Sequence, residues 1–525
     1  MQHQTLHLID YIIIALALAT SLTIGLRFSK GQNSTGKYFV ARGSLPAWAI
    51  GMSLMATLIS SVTFLAYPGE GFASNWILLV QGLMVPVVLL CMVWFVVPLY
   101  RKVIGVSTYE YFEKRFGLFA RFYSSVGFVL THFSKMGTVF FLLALALSNM
   151  TNTNTYAIIW IIGFVIIVIT LIGGIEAVIW ADVVQGFLLI AGGIASFLII
   201  IFSIKGGLPE LWHVATINHK NNFGPYTWNF KKLTFVVMVI NGLFYAIQKY
   251  GTDQTMVQRY LSAKTDKSAI RASLLGVALT VPLWALFMFI GTALFVFYQQ
   301  HPLPAGMKDD AVFPYFIMTE LPPGVVGLIL AALISAAISS LGADLNCLSA
   351  IGVEDYYKKF KPGKSDKTYL KAGRWIVVLA GIGAIMIATL YLQVGGEGAL
   401  GIVFTLYAIF SGGIVGIFLL GLFSARANRQ GLTIGIIACV IFTAWAFLTS
   451  TKIGLGDDKH ILLNLGHYNF NQHKYMLGVY SHFVVIIVGY LASLFFPKPV
   501  LDKNLLYSGW LEAKRANKLQ EKANA

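Results

Sequence analysis

Cysteine is scarce in these 525 residues, and so is charge: there are three Cys, and Asp, Glu, Lys and Arg together make up 11% of the chain. Cys91, Cys347 and Cys439 lie in separate apolar stretches with no paired spacing, which excludes a disulfide framework and a cysteine-based metal site. The low charge and the 57% hydrophobic content leave no stretch for a solvated catalytic domain. The ten His are scattered, with His301, His460 and His467 in connecting segments and His132 alone, so the constellation a membrane-embedded transferase needs is missing. The chain therefore reads as a non-enzyme. A channel's repeated filter is absent too, and the residues after 496 are too few for the appended domain of a solute sensor. The net charge of +16 does not read as a nucleic-acid footprint, because its densest basic run, KKFKPGKSDK at 358–367, lies between two apolar stretches.

What is present is apolar sequence in long runs. Thirteen of them fall at 8–26, 46–67, 74–100, 120–149, 155–173, 176–204, 232–251, 272–298, 324–352, 375–394, 399–423, 431–450 and 475–496. Nearly all hold the ~20 residues that cross ~30 Å of hydrocarbon as a helix, the form that pairs every backbone polar group within its own segment. The sequence thus predicts an all-α membrane protein with 13 transmembrane helices. With the N-terminus outside, 28 of the 38 Lys and Arg fall in cytoplasmic loops and 8 outside, which predicts a cytoplasmic C-terminus. The first run is read as a span and not a signal peptide, since its basic residues follow it.

Three runs carry polar residues at membrane depth. The second has Ser53, Thr57, Ser60, Ser61 and Thr63 about its middle; the ninth has Ser335, Ser339, Ser340, Asp344 and Asn346; the seventh has Asn241, Gly242, Gln248 and Gly251. Small and hydroxyl residues serve close helix packing, and any one of these serines has that explanation. Ser339 and Ser340 are adjacent and cannot both face one packing partner. Hydroxyls together with carbonyls freed at an unwound turn make an oxygen cage suited to a small cation.

Four stretches, YFVARGSLPAWAIGMSLMATLISSVTFLAYPGEG (38–71), GGIEAVIWADVVQG (173–186), GTDQTMVQRYLSAK (251–264) and AALISAAISSLGADLN (331–346), resemble the sodium:solute symporter family, that of sodium–glucose, proline, iodide and sialic-acid cotransporters. The likeness runs from about 8 to 496 and in pattern is similar to bacterial sialic-acid symporters. It implies a leucine-transporter-like fold of inverted five-helix repeats with broken helices, solute and sodium meeting at the midplane. On that pattern 1–45 is a peripheral helix and inner loop, 46–204 the first repeat, 232–423 the second, 424–496 two peripheral helices and 497–525 a cytoplasmic tail. Runs two and seven would be the broken pair. The implied protein is a sodium-coupled importer in a bacterial inner membrane, working as a monomer, with Na⁺, a small solute and lipid as partners and no nucleic acid.

Carried over residue by residue, the resemblance implies a sodium site of the Ala56, Ile59 and Ala336 carbonyls with the Ser339 and Ser340 hydroxyls. It points to Asp182 as a second coupling position. Gly342 and Ala343 stand where the sialic-acid type has serines, so Asp344, one turn past Ser340, is the candidate replacement. Ser60, Thr63, Gln81, Phe244 and Gln248 are candidate solute contacts. Lys135 replaces an Arg that pairs with the solute's carboxylate in that type. It lies about fifteen residues, roughly 22 Å, from either end of its run, where a lone ammonium costs at least ~2.5–3.5 kcal/mol. It needs a counter-charge or an anionic ligand, and both remain open. Lys249 reads as a cation reaching the headgroups or, with Tyr250, as an inner gate. The predicted solute is a sialic acid or related sugar acid; a neutral sugar or polyol, and a monocarboxylate, are the alternatives.

Overall fold

The computed structural model describes residues 6–393, 412–453 and 460–524. Its main helices are α1 (Leu8–Ser29), α2 (Ala47–Leu58), α3 (Ser61–Ala73), α4 (Leu79–Val103), α5 (Tyr109–Phe116), α6 (Leu118–Thr151), α7 (Thr155–Ser203) and α8 (Phe235–Gly251). They continue as α9 (Gln254–Ser262), α10 (Asp266–Gln300), α11 (Val325–Ile351), α12 (Asp366–Gln393), α13 (Ile414–Phe423), α14 (Arg429–Ser450) and α15 (Lys474–Ser493). A two-residue strand pair, Lys452–Ile453 with His460–Ile461, is the only sheet among the described residues. Nine helices there are long and apolar enough to cross a membrane, ten if α2 and α3 form one bent span. The expected run 399–423 begins outside the described residues, and α13 is its described part.

Two of the expected runs, 155–173 and 176–204, meet within the single element α7. Its 49 residues would extend ~73 Å as one rod, more than twice the hydrocarbon thickness. Gly174 breaks the rod at φ 56°, ψ −156°, a conformation side chains resist, and a Cβ there would lie 2.7 Å from the Tyr38 carbonyl oxygen.

α11 is the bundle's central post. Nearly all of it is buried, and it packs on α1, α2, α6, α7 and α12. The Ala, Ser and Gly of its sequence permit such crowding, because small side chains let backbones approach. Its first turn is held by Asp10 of α1, whose Oδ1 accepts hydrogen bonds from the Gly324 and Gly327 amides at 2.7 and 2.8 Å. On the opposite side α3 crosses α10 at Gly71 and Gly291; a Cβ on Gly291 would come within 2.1 Å of the Pro68 carbonyl oxygen.

Two interruptions position the site. Between α2 and α3, Ile59 and Ser60 are extended (φ −90°, ψ 99° and φ −97°, ψ 173°), and the two halves differ in direction by 55°. Between α8 and α9, Thr252 and Asp253 leave the helix, and Asp253 caps α9 by accepting the Thr255 amide at 2.8 Å. The second break thus falls just beyond the expected run 232–251, because an Asp able to cap a new helix stands there.

Candidate functional site

A cavity of about 300 Å³ opens where both breaks face α6. Thr57, Leu58 and Ser60 line it from the first break, and Gln248, Lys249, Thr252 and Asp253 from the second. From α6 come His132 and Lys135, three residues apart and so on one helical face.

The wall is charged. The Lys135 ammonium stands 3.0 Å from Asp344 Oδ2 and 3.2 Å from Oδ1. The lysine side chain is 31% exposed and the aspartate's is 0%, so the cation faces the cavity with its counter-charge behind it. His132 Nδ1 lies 2.8 Å from Asp344 Oδ1, and Nε2 lies 3.6 Å from Asp253 Oδ2. Lys249 donates to Asp253 at 2.7 Å and to the Thr255 hydroxyl at 3.2 Å. Two ammonium groups, two carboxylates and an imidazole thus join α6, α8, α11 and the second break.

A second cluster is sealed in the bundle. Asp182 of α7 sits 3.0 Å from the Arg259 guanidinium of α9, with side-chain exposures of 1% and 0%. Arg259 also donates to the Ser53 hydroxyl at 2.8 Å and the Thr57 hydroxyl at 2.6 Å, and Ser53 in turn donates to Asp182. The Ser339 hydroxyl donates to Asp182 Oδ1 at 2.7 Å, and the Ser340 hydroxyl donates to the Thr57 carbonyl at 3.2 Å. Those bonds join α11 to α7 and to the last turn of α2, where carbonyls such as that of Ala56 lose their helical partners at the break.

Ser60, Lys135 and Gln248 line the cavity. Ala56, Ile59, Ala336, Ser339 and Ser340 are all buried, and the Ser340–Thr57 bond brings the two serine and carbonyl segments together. The carboxylate of Asp344, expected as a possible second coupling position, is closed in by Lys135 and His132. Lys249 does not extend to the headgroups; its side chain is captured by Asp253 in the cavity wall. Tyr250 is buried and outside that wall. Phe244 faces the peripheral helix α15, its ring 5.3 Å from those of His482 and Phe483. Gln81 accepts a hydrogen bond from Asn241 at 3.1 Å, and neither it nor Thr63 lines the cavity.

His132, read as solitary, stands at the hub of the charged wall, and Arg259, assigned to a loop, is fully buried. The i, i+3 spacing of His132 and Lys135 was the available signal for the first. The polar composition of GTDQTMVQRYLSAK, which reads as a loop, gave none for the second.

Broken helices around a charged cavity, beside a cluster of hydroxyls and freed carbonyls, define a secondary transporter. The chain belongs to the sodium:solute symporter family, whose model matches residues 38–439. It is accordingly a sodium-coupled symporter of a small solute. It is 31% identical over 511 residues to the sodium/sialic acid symporter NanT of Aliivibrio fischeri, covering 96% of each chain. To the sodium/sialic acid symporter SiaT of Proteus mirabilis it is 34% identical over 448 residues, 84% of this chain and 90% of that one. The solved substrate-bound, outward-open state of a Na⁺-coupled sialic acid symporter superposes with a TM-score of 0.85 at 31% identity, over 94% of this chain and 99% of that one.

Proposed function

We propose that the protein imports a sialic acid or related sugar acid together with sodium. The observation that carries this is the Lys135 ammonium, exposed in the wall of a cavity of about 300 Å³ amid hydroxyl and amide groups from Ser60 and Gln248. A carboxylate set against that ammonium would receive a charge-assisted hydrogen bond. The ammonium is a point charge, so it orients an acid less firmly than a guanidinium fork does. The sialic-acid symporters to which the chain is similar support the same solute class. One observation favours a second reading: Lys135 already has a counter-charge in Asp344, as a site for a neutral sugar or polyol would require.

For sodium we propose the Ala56, Ile59 and Ala336 carbonyls with the Ser339 and Ser340 hydroxyls. Each hydroxyl gives its proton to a neighbouring oxygen, Asp182 or the Thr57 carbonyl, which leaves its lone pairs for a hard cation. Asp182 carries a guanidinium and Asp344 an ammonium, so each of the two expected coupling aspartates has a tethered cation and coupling is to one sodium. We infer the finer architecture along the same lines: thirteen spans in two inverted repeats, the N-terminus outside and the C-terminus in the cytoplasm, in a bacterial inner membrane, as a monomer.

Sodium-driven uptake of N-acetylneuraminate into proteoliposomes tests the solute, with glucuronate, lactate, glucose and inositol as competitors. Competition by glucuronate supports the proposal. Competition by glucose and inositol alone would replace it with the neutral-sugar reading.

A further inference from the structure

The C-terminal helix α16 (Tyr507–Asn524) is fixed at its start and open beyond it. The segment leading into it is tied to the bundle. Lys102, in the last turn of α4, donates to Asn504 at 2.8 Å, and the Tyr111 hydroxyl of α5 donates to the Leu505 carbonyl at 3.0 Å. In the first turn of α16 the Tyr507 ring lies 4.9 Å from Phe95 of α4 and 5.4 Å from Phe423 of α13, and Trp510 stacks on Tyr507. Phe95 stands about two turns before the end of α4, a helix that leaves Val87, Leu90 and Trp94 exposed. In a membrane-spanning chain that exposed apolar face meets lipid. Tyr507 and Trp510 therefore lie where aromatic side chains mark the boundary between hydrocarbon and headgroups.

From that foot the helix carries its bases on one side. At about 100° per residue, positions 514, 515, 518 and 522, all Lys or Arg, fall within about 100° of arc, with Leu511 among them. Positions 513, 516, 517 and 520 across the helix hold Ala, Ala, Asn and Gln. The acidic residue nearest the foot is already paired, since Lys503 donates to Glu512 at 2.9 Å. Lys514 and Arg515 are exposed, and neither has a carboxylate partner among the described residues. The Lys514 ammonium lies 5.0 Å from the centre of the Trp510 ring, which sets a cation beside the aromatic boundary. A basic strip that leaves the bundle at that level, on the side where the topology gathers 28 of the 38 Lys and Arg, has the headgroup layer as its nearest surface.

We propose that α16 binds acidic phospholipids, its basic strip lying on anionic headgroups while Tyr507 and Trp510 hold its first turn at the boundary. The strip is too polar to enter hydrocarbon, so the contact is electrostatic. Each base near an anionic surface strengthens it about fivefold, and salt weakens it by screening.

The test places the full-length protein in nanodiscs of phosphatidylcholine alone or mixed with phosphatidylglycerol. A nitroxide on Ala516→Cys, exposed and off the basic strip, reports the helix in a Cys91→Ser background; Cys347 and Cys439 are buried. The label should be mobile in the neutral discs, slowed in the acidic ones and released again by potassium chloride. Lys514→Gln combined with Arg515→Gln should weaken the response to phosphatidylglycerol at least ~10-fold, while the thermal shift produced by sodium persists. Lys361→Gln combined with Lys364→Gln, in the exposed basic loop between α11 and α12, should leave the response unchanged. Equal mobility in both kinds of disc overturns the proposal, because it leaves α16 either docked on protein or free in water. Slowing that survives the Lys514 and Arg515 substitutions overturns it as well. If that double variant loses the sodium shift, the wild type decides alone, and slowing that resists high salt counts against the proposal.

Discussion

Asp182 and Asp344 are both buried aspartates in contact with a basic side chain, one on α7 and the other on α11. They differ in what lies on the far side of the base. Arg259 is enclosed on every side, and each of its three nitrogens donates within the protein, to Asp182, Ser53, Thr57 and the Thr255 carbonyl. Lys135 turns one side toward the cavity and is 31% exposed. A guanidinium with all its partners inside the protein ties helices together; an ammonium with one side open has capacity left for a ligand. The same pair of charges, sealed or unsealed, is a fastening in one place and a binding group in the other.

The sealed cluster should respond most to damage. Arg259→Gln leaves Asp182 buried and uncompensated, at an expected cost of about 3–5 kcal/mol in stability. Thermal unfolding in detergent would read it, and Arg259→Gln combined with Asp182→Asn should recover more than half of the loss. If the single variant unfolds at the wild-type temperature, the distinction between the clusters collapses.

Lys135→Ala attacks the open cluster, and there the effect should appear in transport more than in stability. Truncating Lys135 opens the buried Asp344 carboxylate to cavity water that can solvate part of its charge, whereas Asp182 borders a space of only about 10 Å³. Uptake of N-acetylneuraminate at low concentration should fall ~100-fold, the size expected for truncating one partner of a buried charged contact. Lys135→Arg should keep a measurable part of it. A transport-silent Lys135→Ala that is also as unstable as Arg259→Gln would make Lys135 a fastening as well.

Ser339 and Ser340 stand between the two clusters, one bonded to Asp182 and the other to the first break. Replacing either by Ala removes one oxygen from the proposed sodium cage and little volume. Sodium for half-maximal uptake should rise ~10-fold, equivalent to ~1.4 kcal/mol, with a Hill coefficient near one in variant and wild type alike. A wild-type coefficient near two that Asp182→Asn lowers to one would assign Asp182 to an ion and break the sealed-cluster interpretation.

Hydropathy and loop charge made the helical bundle legible, because crossing a membrane imposes long apolar runs whatever lies around them. The first break was legible as well: Ser60 and its polar neighbours interrupt an otherwise apolar run. Pairings were harder to read. Lys135 was recognisable as a cation in need of a counter-charge or an anionic ligand, but nothing in the sequence pointed to Asp344, which is 209 residues away. Arg259 was read as a loop residue because α9 is short and polar in composition, and burial of such a helix depends on the neighbours that enclose it. The direction of a side chain from its helix was least accessible, since a run apolar on all sides has no face that marks the cavity.

Phe244 shows that last limit, and it bears the smallest expected effect. An aromatic ring three residues after Asn241 and four before Gln248 is a natural candidate for a sugar-stacking wall, yet its ring lies among those of His482 and Phe483 at the contact between α8 and α15. Gln248, one turn on and on much the same face, lines the cavity because that cavity opens at the C-terminal end of α8, where the second break begins, while α15 covers the helix at the level of Phe244. Phe244→Leu keeps an apolar side chain at that peripheral contact, so half-saturating concentrations for solute and sodium should stay within about twofold of wild type, with a stability loss of ~1 kcal/mol from the lost ring packing. Gln248→Leu, on the wall itself, should raise the half-saturating solute concentration and leave stability nearly unchanged. Uptake kinetics and thermal unfolding of the two variants, measured side by side, separate the two levels of α8. A solute effect at Phe244 larger than that at Gln248 would place the binding surface on the α15 side of the helix and move the cavity wall with it.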